Sequence, residues 1–128
     1  MKAICLDTSG WLEIAVGGPS AKAIAKALLP THPVLSSVIS LYEISKYLTR
    51  EAGETNAQEL LAFIRNYPVI PVTEDLALHA AALSARHKLA LADSLIYATA
   101  LAHKATLWTQ DDDFDGLPNV RFFPKIKP

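Results

Sequence analysis

The chain has 128 residues, 51% of them hydrophobic and 20% charged, and a net charge of −1 at pH 7. This length suits one domain over residues 1–128, and the composition excludes a disordered protein and a general basic coat for nucleic acid. The lone Cys5 excludes a disulfide scaffold and a cysteine-based zinc cluster. The apolar runs are too short to span a bilayer, and Asp7 interrupts the first one too early for a signal peptide. We therefore expect a cytoplasmic protein with no membrane association.

Short β-like runs alternate with longer helical runs along the sequence. The apolar runs predict strands at residues 3–6, 33–36, 69–70, 106–109 and 120–123. The periodicity and end signals predict helices at residues 11–15, 21–29, 37–51, 56–66, 74–88 and 91–104, with Ser20 and Thr73 as helix caps. Because strands joined through helices form parallel sheets, the expected class is α/β, with a short parallel sheet flanked by helices.

Two acids occupy positions that either structure or function can explain. Asp7 ends the first predicted strand, where open parallel sheets bind ligands, but Asp is also a favoured helix cap. Glu43 lies inside the third predicted helix, three residues before Lys46. Taken alone, Glu43 is better explained by a solvated pair with Lys46 than by a functional role.

Asp93 is harder to explain as a surface residue. The helix that contains it is apolar nearly all round, which is typical of a buried helix. A carboxylate in such surroundings is costly unless it meets a cation, a metal or several donors. An acid at a helix start that accepts backbone N–H groups is the alternative.

Four further acids follow the predicted strand at residues 106–109: Asp111, Asp112, Asp113 and Asp115. A solvated turn explains part of this group. Because neighbouring carboxylates oppose one another's ionisation, a bound cation is the competing explanation.

No other constellation in the sequence points to a reaction. The four histidines lack zinc-ligand spacing, and the five glycines match no phosphate-binding loop. Cys5, inside a predicted strand, is most simply a small core hydrophobe.

Four segments that contain these acids, residues 6–9, 37–43, 91–100 and 107–114, stand in one characteristic order. With this order and spacing the chain resembles the PIN-domain ribonucleases, most closely the VapC toxins of type II VapBC toxin–antitoxin systems. The resemblance covers essentially the whole chain. It implies a three-layer α/β/α domain and an Mg²⁺- or Mn²⁺-dependent endoribonuclease that cleaves RNA with water activated by the metal.

The resemblance also implies roles for individual residues. Asp7, Glu43, Asp93 and Asp111 match the catalytic, metal-binding acids, and Thr8 or Ser9 matches the hydroxyl residue that orients the first acid. Asp113 matches a further metal ligand, and the sequence leaves open whether it or Asp111 lies closer to the ion. Ser9, Lys46 and Arg50 are the expected substrate-binding residues, although a solvated face explains the two cations equally well.

The same resemblance implies a VapB-like antitoxin partner and a homodimer. A hydrophobic fraction of 51% agrees with helix faces buried between molecules. A non-catalytic metal-binding scaffold, or a PIN nuclease outside a toxin–antitoxin pair, is the alternative. A phosphotransfer domain is disfavoured because Thr8 and Ser9, rather than a second acid, follow Asp7.

Overall fold

The computed structural model describes residues 2–126, which contain a five-stranded sheet. The strands are β1 (Ile4–Leu6), β2 (Val34–Ser37), β3 (Val69–Ile70), β4 (Thr106–Thr109) and β5 (Val120–Phe122). They lie in the order β3-β2-β1-β4-β5, and every neighbouring pair is parallel. The predicted α/β class and short parallel sheet are confirmed.

Six α-helices connect and cover the strands: α1 (Thr8–Val16), α2 (Ala21–Ala25), α3 (Val38–Ala52), α4 (Glu54–Ile64), α5 (Glu74–His87) and α6 (Leu91–Ala102). Two single 3₁₀ turns follow α2 and β4, at Lys26–Leu28 and Asp112–Phe114. Thr73 caps α5 as predicted, since its hydroxyl accepts a hydrogen bond from the N–H of Leu76 at 3.2 Å. None of these helices has the length and apolar character needed to cross a membrane.

Alternate strand residues face two separate helical layers. Ile4 and Leu6 of β1 pack with Trp11 and the apolar faces of α2, α3 and α4. Cys5, on the opposite face of the same strand, packs with α5 and α6 and is fully buried. This alternation follows from the two-residue period of a strand and produces the three-layer α/β/α arrangement.

The segment after Ser20 differs from its prediction. The α-helix ends at Ala25, and Leu29 donates to the Lys26 carbonyl three residues earlier, which gives a 3₁₀ turn. Pro30 has no N–H with which to continue the α-helical ladder to that carbonyl. Ser20 makes no side-chain cap; instead its N–H donates to Glu13 Oε2 at 2.8 Å.

β4 and β5 are parallel although no α-helix joins them. Only residues 110–119 connect the two strands, and they contain one 3₁₀ turn. Parallel connections usually need a dozen or more residues, so this one is unusually tight. It uses positive φ angles at Gly116 and Asn119 to return the chain, and it keeps the acids that follow β4 at the carboxyl edge of the sheet.

The strand order places a topological switch point between β1 and β4. From β1 the chain moves outward through β2 to β3, and it then returns to the other side of β1 with β4 and β5. In open parallel sheets, ligands bind beyond the carboxyl ends of the strands at such a point. Asp7 and Thr109 occupy those two strand ends.

Candidate metal centre

Asp7 joins the end of β1 to the start of α1 and is held by three donors. Its Oδ1 accepts the N–H of Gly10 at 3.0 Å, which caps α1, and the Ser9 hydroxyl at 2.7 Å. Its Oδ2 accepts the Thr109 hydroxyl at 2.6 Å. Capping therefore occupies only one oxygen, and the two interpretations of Asp7 are compatible. A Cβ at Gly10 would lie 2.7 Å from Leu6 Cδ1, so a glycine lets α1 start this close to β1.

Burial makes the charged form of Asp7 costly. The side chain is 3% exposed, and burial raises the pKa of Asp7 to about 6 from an ordinary 3.8. The hydrogen bonds from Thr109, Ser9 and Gly10 act in the opposite direction, and the charge of Asp111 adds to the rise. The carboxylate is thus oriented by the protein but not neutralised by it.

Glu43 reaches the same region from α3. Thr8 donates a hydrogen bond of 2.6 Å to Glu43 Oε1. The suggested pair between Glu43 and Lys46 is wrong: within residues 2–126 the one ion pair joins Arg50 and Glu51, at 3.6 Å. The two hydroxyl residues after Asp7 therefore have separate partners, because Ser9 orients Asp7 and Thr8 orients Glu43.

Asp93 lies in the first turn of α6, whose buried face is as extensive as the sequence indicated. Burial raises the pKa of Asp93 to about 7, and the charges of Asp111, Glu43, Asp113 and Asp7 raise it further in that order. No backbone N–H in the described part of the chain donates to its carboxylate, so the helix-start explanation fails. Asp93 is a half-buried acid surrounded by other acids.

Three acids lie within mutual reach of a single ion. Asp93, Asp111 and Asp113 each present a carboxylate oxygen, and these oxygens all lie within 4.8 Å of one another. Asp111 Oδ1 accepts the N–H of Asp113 at 2.9 Å, which fixes the turn that brings both acids towards α6. Both are close to Asp93, so the geometry gives neither precedence as a ligand. Asp112 and Asp115 are exposed and stand outside this group.

A cavity of about 300 Å³ opens among these acids at the switch point. Its walls are formed by Asp7, Thr8, Ser9, Leu12, Glu43, Tyr47, Asp93, Ile96 and Asp111. All four acids predicted as catalytic therefore line one cavity, and Asp113 joins two of them from an exposed position. We call this space the acidic cavity.

The predicted substrate cations do not line the acidic cavity. Lys46 and Arg50 lie on the exposed face of α3; the Lys46 ammonium is 5.9 Å from the centre of the Tyr42 ring. Two residues with contacts in the site received no role from the sequence, Tyr47 and Thr109. Thr109 ends the strand beside β1, and Tyr47 follows Glu43 by one helical turn, so both were within reach of the same reasoning.

The donor set fits a hard divalent cation. The acidic cavity offers carboxylate oxygens, the ligands preferred by Mg²⁺ and Mn²⁺. Within residues 2–126 no cationic side chain pairs with any of its acids. Asp7, Glu43, Asp93, Asp111 and Asp113 are the residues that would hold such an ion.

These features define an α/β/α domain with an acidic cavity at its switch point, lined by carboxylates that could hold a cation. The sequence model of the PIN domain family matches residues 4–120, and the chain belongs to this family. No curated protein sequence matches the chain.

Solved structures resemble the chain over nearly its whole length. A chain of a toxin–antitoxin complex from Klebsiella pneumoniae superposes with a TM-score of 0.83 at 27% identity, covering 97% of this chain and 100% of that one. A chain of VapBC2 from Rickettsia felis, bound to a promoter DNA fragment, gives 0.75 at 20% identity, with 95% and 98% covered. VapC20 from Mycobacterium tuberculosis, described as a sarcin–ricin loop cleaving toxin, gives 0.74 at 23% identity, with 98% and 100% covered.

Proposed function

We propose that this protein is a metal-dependent endoribonuclease that acts as the toxin of a type II toxin–antitoxin pair. The observation that carries the proposal is the convergence of Asp7, Glu43, Asp93 and Asp111 on one cavity of a PIN fold. These four acids come from four separate parts of the chain. A scaffold has no evident use for gathering charges that raise one another's pKa.

Asp93, Asp111 and Asp113 are the proposed principal ligands because their oxygens already lie within 4.8 Å of one another. Mg²⁺ or Mn²⁺, when bound, would lower the pKa of water and offset the negative charge of the scissile phosphate. Asp7 is held in a fixed orientation by Ser9 and Thr109, so it needs little rearrangement to act as a further ligand.

Glu43 is the proposed proton acceptor for the attacking water. Thr8 occupies Glu43 Oε1 and fixes the side chain, while Oε2 has no hydrogen-bond partner in the described residues. Attack by water on the phosphate leaves a 5′-phosphate and a 3′-hydroxyl, so the 2′-hydroxyl of RNA is not required as a nucleophile.

The exposed cations of α3 are proposed to hold the RNA backbone. Lys46 and Arg50 follow Glu43 by one and two helical turns, on a face that is open to a long polyanion. Ser9 was also predicted to bind substrate. Its hydroxyl donates to Asp7 and accepts the N–H of Gln110 at 2.9 Å, so a positioning role suits it better.

A VapB-like antitoxin is the proposed partner. The similarity to a chain of the Klebsiella pneumoniae toxin–antitoxin complex supports this assignment. In the part of the chain that the structure describes, no cationic side chain pairs with the acids of the cavity, which suits inhibition by a basic side chain from such a partner.

The decisive experiment incubates the purified full chain with a short unstructured RNA and either Mn²⁺ or Mg²⁺. We expect cleavage that EDTA abolishes, products with 5′-phosphate ends, and continued cleavage when a 2′-deoxynucleotide stands at the cut position. A correctly folded, metal-loaded chain that leaves every RNA intact would instead be a non-catalytic scaffold.

A further inference from the structure

A second, smaller cavity of about 280 Å³ adjoins the acidic cavity. Its lining is formed by Gln110, Asp111, Asp112, Phe122, Pro124 and Lys125. Asp111 lines both spaces, so they share a wall. A ligand that extends from the acids past Asp111 would enter the second cavity. Pockets for drug-sized ligands measure roughly 300–1,000 Å³, so this space suits a single base rather than a larger ligand.

Gln110 contributes a positioned amide to this cavity. Its backbone N–H donates to the Ser9 hydroxyl, which ties it to the acidic site. Gln110 is largely buried, at 5% exposed, and its side-chain amide has no hydrogen-bond partner within residues 2–126. Its amide atoms are not among the fully buried atoms that lack a partner, and the residue lines the cavity. The accessible part of the amide can therefore donate to or accept from the edge of a base.

Two opposite charges face the same cavity without neutralising each other. Asp112 and Lys125 take part in no ion pair among the described residues. A carboxylate accepts hydrogen bonds and an ammonium donates them, so together they select a base with donors on one edge and acceptors on another. Guanine matches this pattern: its N1–H and N2 amino group suit a carboxylate, while its O6 and N7 accept from lysine. Phe122 adds an aromatic side chain for stacking.

We propose that this cavity is a nucleobase subsite that favours an unpaired guanine next to the cleaved bond. The proposal rests on the proposed ribonuclease function for its biological use, but base binding itself needs neither metal nor cleavage. Asp112, Lys125 and Gln110 are then specificity-determining residues outside the catalytic acids.

The test titrates the metal-free full chain, labelled with ¹⁵N, with guanosine, inosine, adenosine or cytidine and follows the side-chain amide signals of Gln110. Guanosine should bind most tightly. Inosine, which lacks the N2 amino group, should bind at least about fivefold more weakly than guanosine. Asp112→Asn should remove the difference between guanosine and inosine, and Lys125→Met should weaken guanosine binding by a similar factor.

Asp115→Asn is the matched control, since Asp115 belongs to the same acidic turn but does not line the cavity; it should bind guanosine like the parent. The proposal fails if the Gln110 amide does not respond to guanosine, if all four nucleosides bind equally, or if inorganic phosphate produces the same response. Guanosine binding by a chain that cleaves no RNA would uphold the subsite and overturn the ribonuclease. RNA cleavage by a chain that binds no guanosine would overturn the subsite and uphold the ribonuclease.

Discussion

The hydroxyl of Thr109 donates a hydrogen bond of 2.6 Å to Asp7 Oδ2 and accepts one of 2.9 Å from the N–H of Asp111. One buried side chain thus links the acid at the end of β1 to the acid that follows β4. The two strands are direct neighbours, with Leu6 paired to Trp108. The spacing between these two acids therefore depends on a group that cannot itself bind a metal strongly.

We predict that Thr109→Val lowers Mn²⁺ affinity and RNA cleavage by about 10- to 100-fold, because the hydrogen-bond partners of metal ligands contribute on this scale. The valine keeps the shape but leaves the Asp111 N–H unsatisfied, which should cost about 1–3 kcal/mol of stability. Metal titration, kcat/KM and urea unfolding measure the three effects.

Thr99→Val is the matched control for this substitution. Thr99 is equally buried, and its hydroxyl donates to the Leu95 carbonyl within α6. The control should lose some stability but keep its metal affinity. Equal losses of metal affinity in both variants would show that Thr109 acts through general stability alone.

Asp93→Asn should lower cleavage by at least about 100-fold while the protein stays folded. The amide removes a negative ligand without a change of size. It also removes both causes that raise the pKa of Asp93, which are the burial of a charge and the repulsion from neighbouring carboxylates. The metal-free variant should therefore unfold at the same or a higher temperature. Rates are compared under single-turnover conditions, with Asp115→Asn as the exposed-acid control. Cleavage by Asp93→Asn at the parent rate would remove Asp93 from the proposed site.

Mn²⁺ or Mg²⁺ should raise the thermal unfolding midpoint of the parent protein. A ligand bound only by the folded state adds about 2.7 kcal/mol at one hundred times its Kd, which amounts to several degrees for a domain of this size. The shift should disappear in the Asp7→Asn/Asp93→Asn double variant. An undiminished shift in that variant would remove Asp7 and Asp93 from the metal site and leave Asp111 and Asp113, on the turn after β4, as its ligands.

The sequence revealed the acids because carboxylates are rare in apolar surroundings. Asp93 was visible as one charge in an apolar helix, and Asp7 as an acid at a strand end. The three layers followed from strands alternating with helices. These features depend on local pattern, which a single sequence contains.

The contacts of Thr109 and Thr8 with those acids were not assigned from the sequence, because they join residues that are distant in sequence. Ser9, two residues after Asp7, was among the residues that the resemblance suggested for orienting Asp7. Thr109 and Asp7 are separated by 102 positions, and Thr8 reaches Glu43 across 35. A position at a strand end or beside an acid marks each threonine as a candidate, but it does not show which acid the hydroxyl reaches. The cavity at Gln110 likewise arises from the short β4–β5 connection, whose parallel course a sequence pattern does not indicate.

Stability of the metal-free protein should fall as the pH rises. Asp7 and Asp93 have pKa values raised to about 6 and about 7, against 3.8 for an ordinary aspartate. Between about pH 4 and pH 7 the folded state therefore retains protons that the unfolded state has released, so the free energy of unfolding decreases with pH and levels off above pH 7. The two shifts together correspond to a loss of about 4 kcal/mol from pH 5 to pH 8, and solvent screening at the half-buried Asp93 reduces the expected loss to about 2–3 kcal/mol.

Urea unfolding in EDTA at pH 5, 6, 7 and 8 measures this dependence. Asp7→Asn and Asp93→Asn should each flatten the profile, whereas Asp115→Asn should reproduce the parent slope. A parent protein that gains stability from pH 5 to pH 8 would contradict the raised pKa values.

The antitoxin should inhibit by placing an arginine among the carboxylates of the acidic cavity. Within residues 2–126 no cation pairs with these acids, and a guanidinium can bind carboxylates through two parallel hydrogen bonds. Such a residue would exclude the metal and the scissile phosphate together, while apolar contacts on neighbouring helices supply most of the affinity.

Replacing each antitoxin arginine in turn with alanine, and measuring RNA cleavage by the purified complex, tests this inhibition by arginine. Lysine at the same position is the charge-preserving control. One alanine variant should restore cleavage while the complex remains assembled. Full inhibition by every variant would mean that the antitoxin acts by another route, such as distortion of α3 around Glu43.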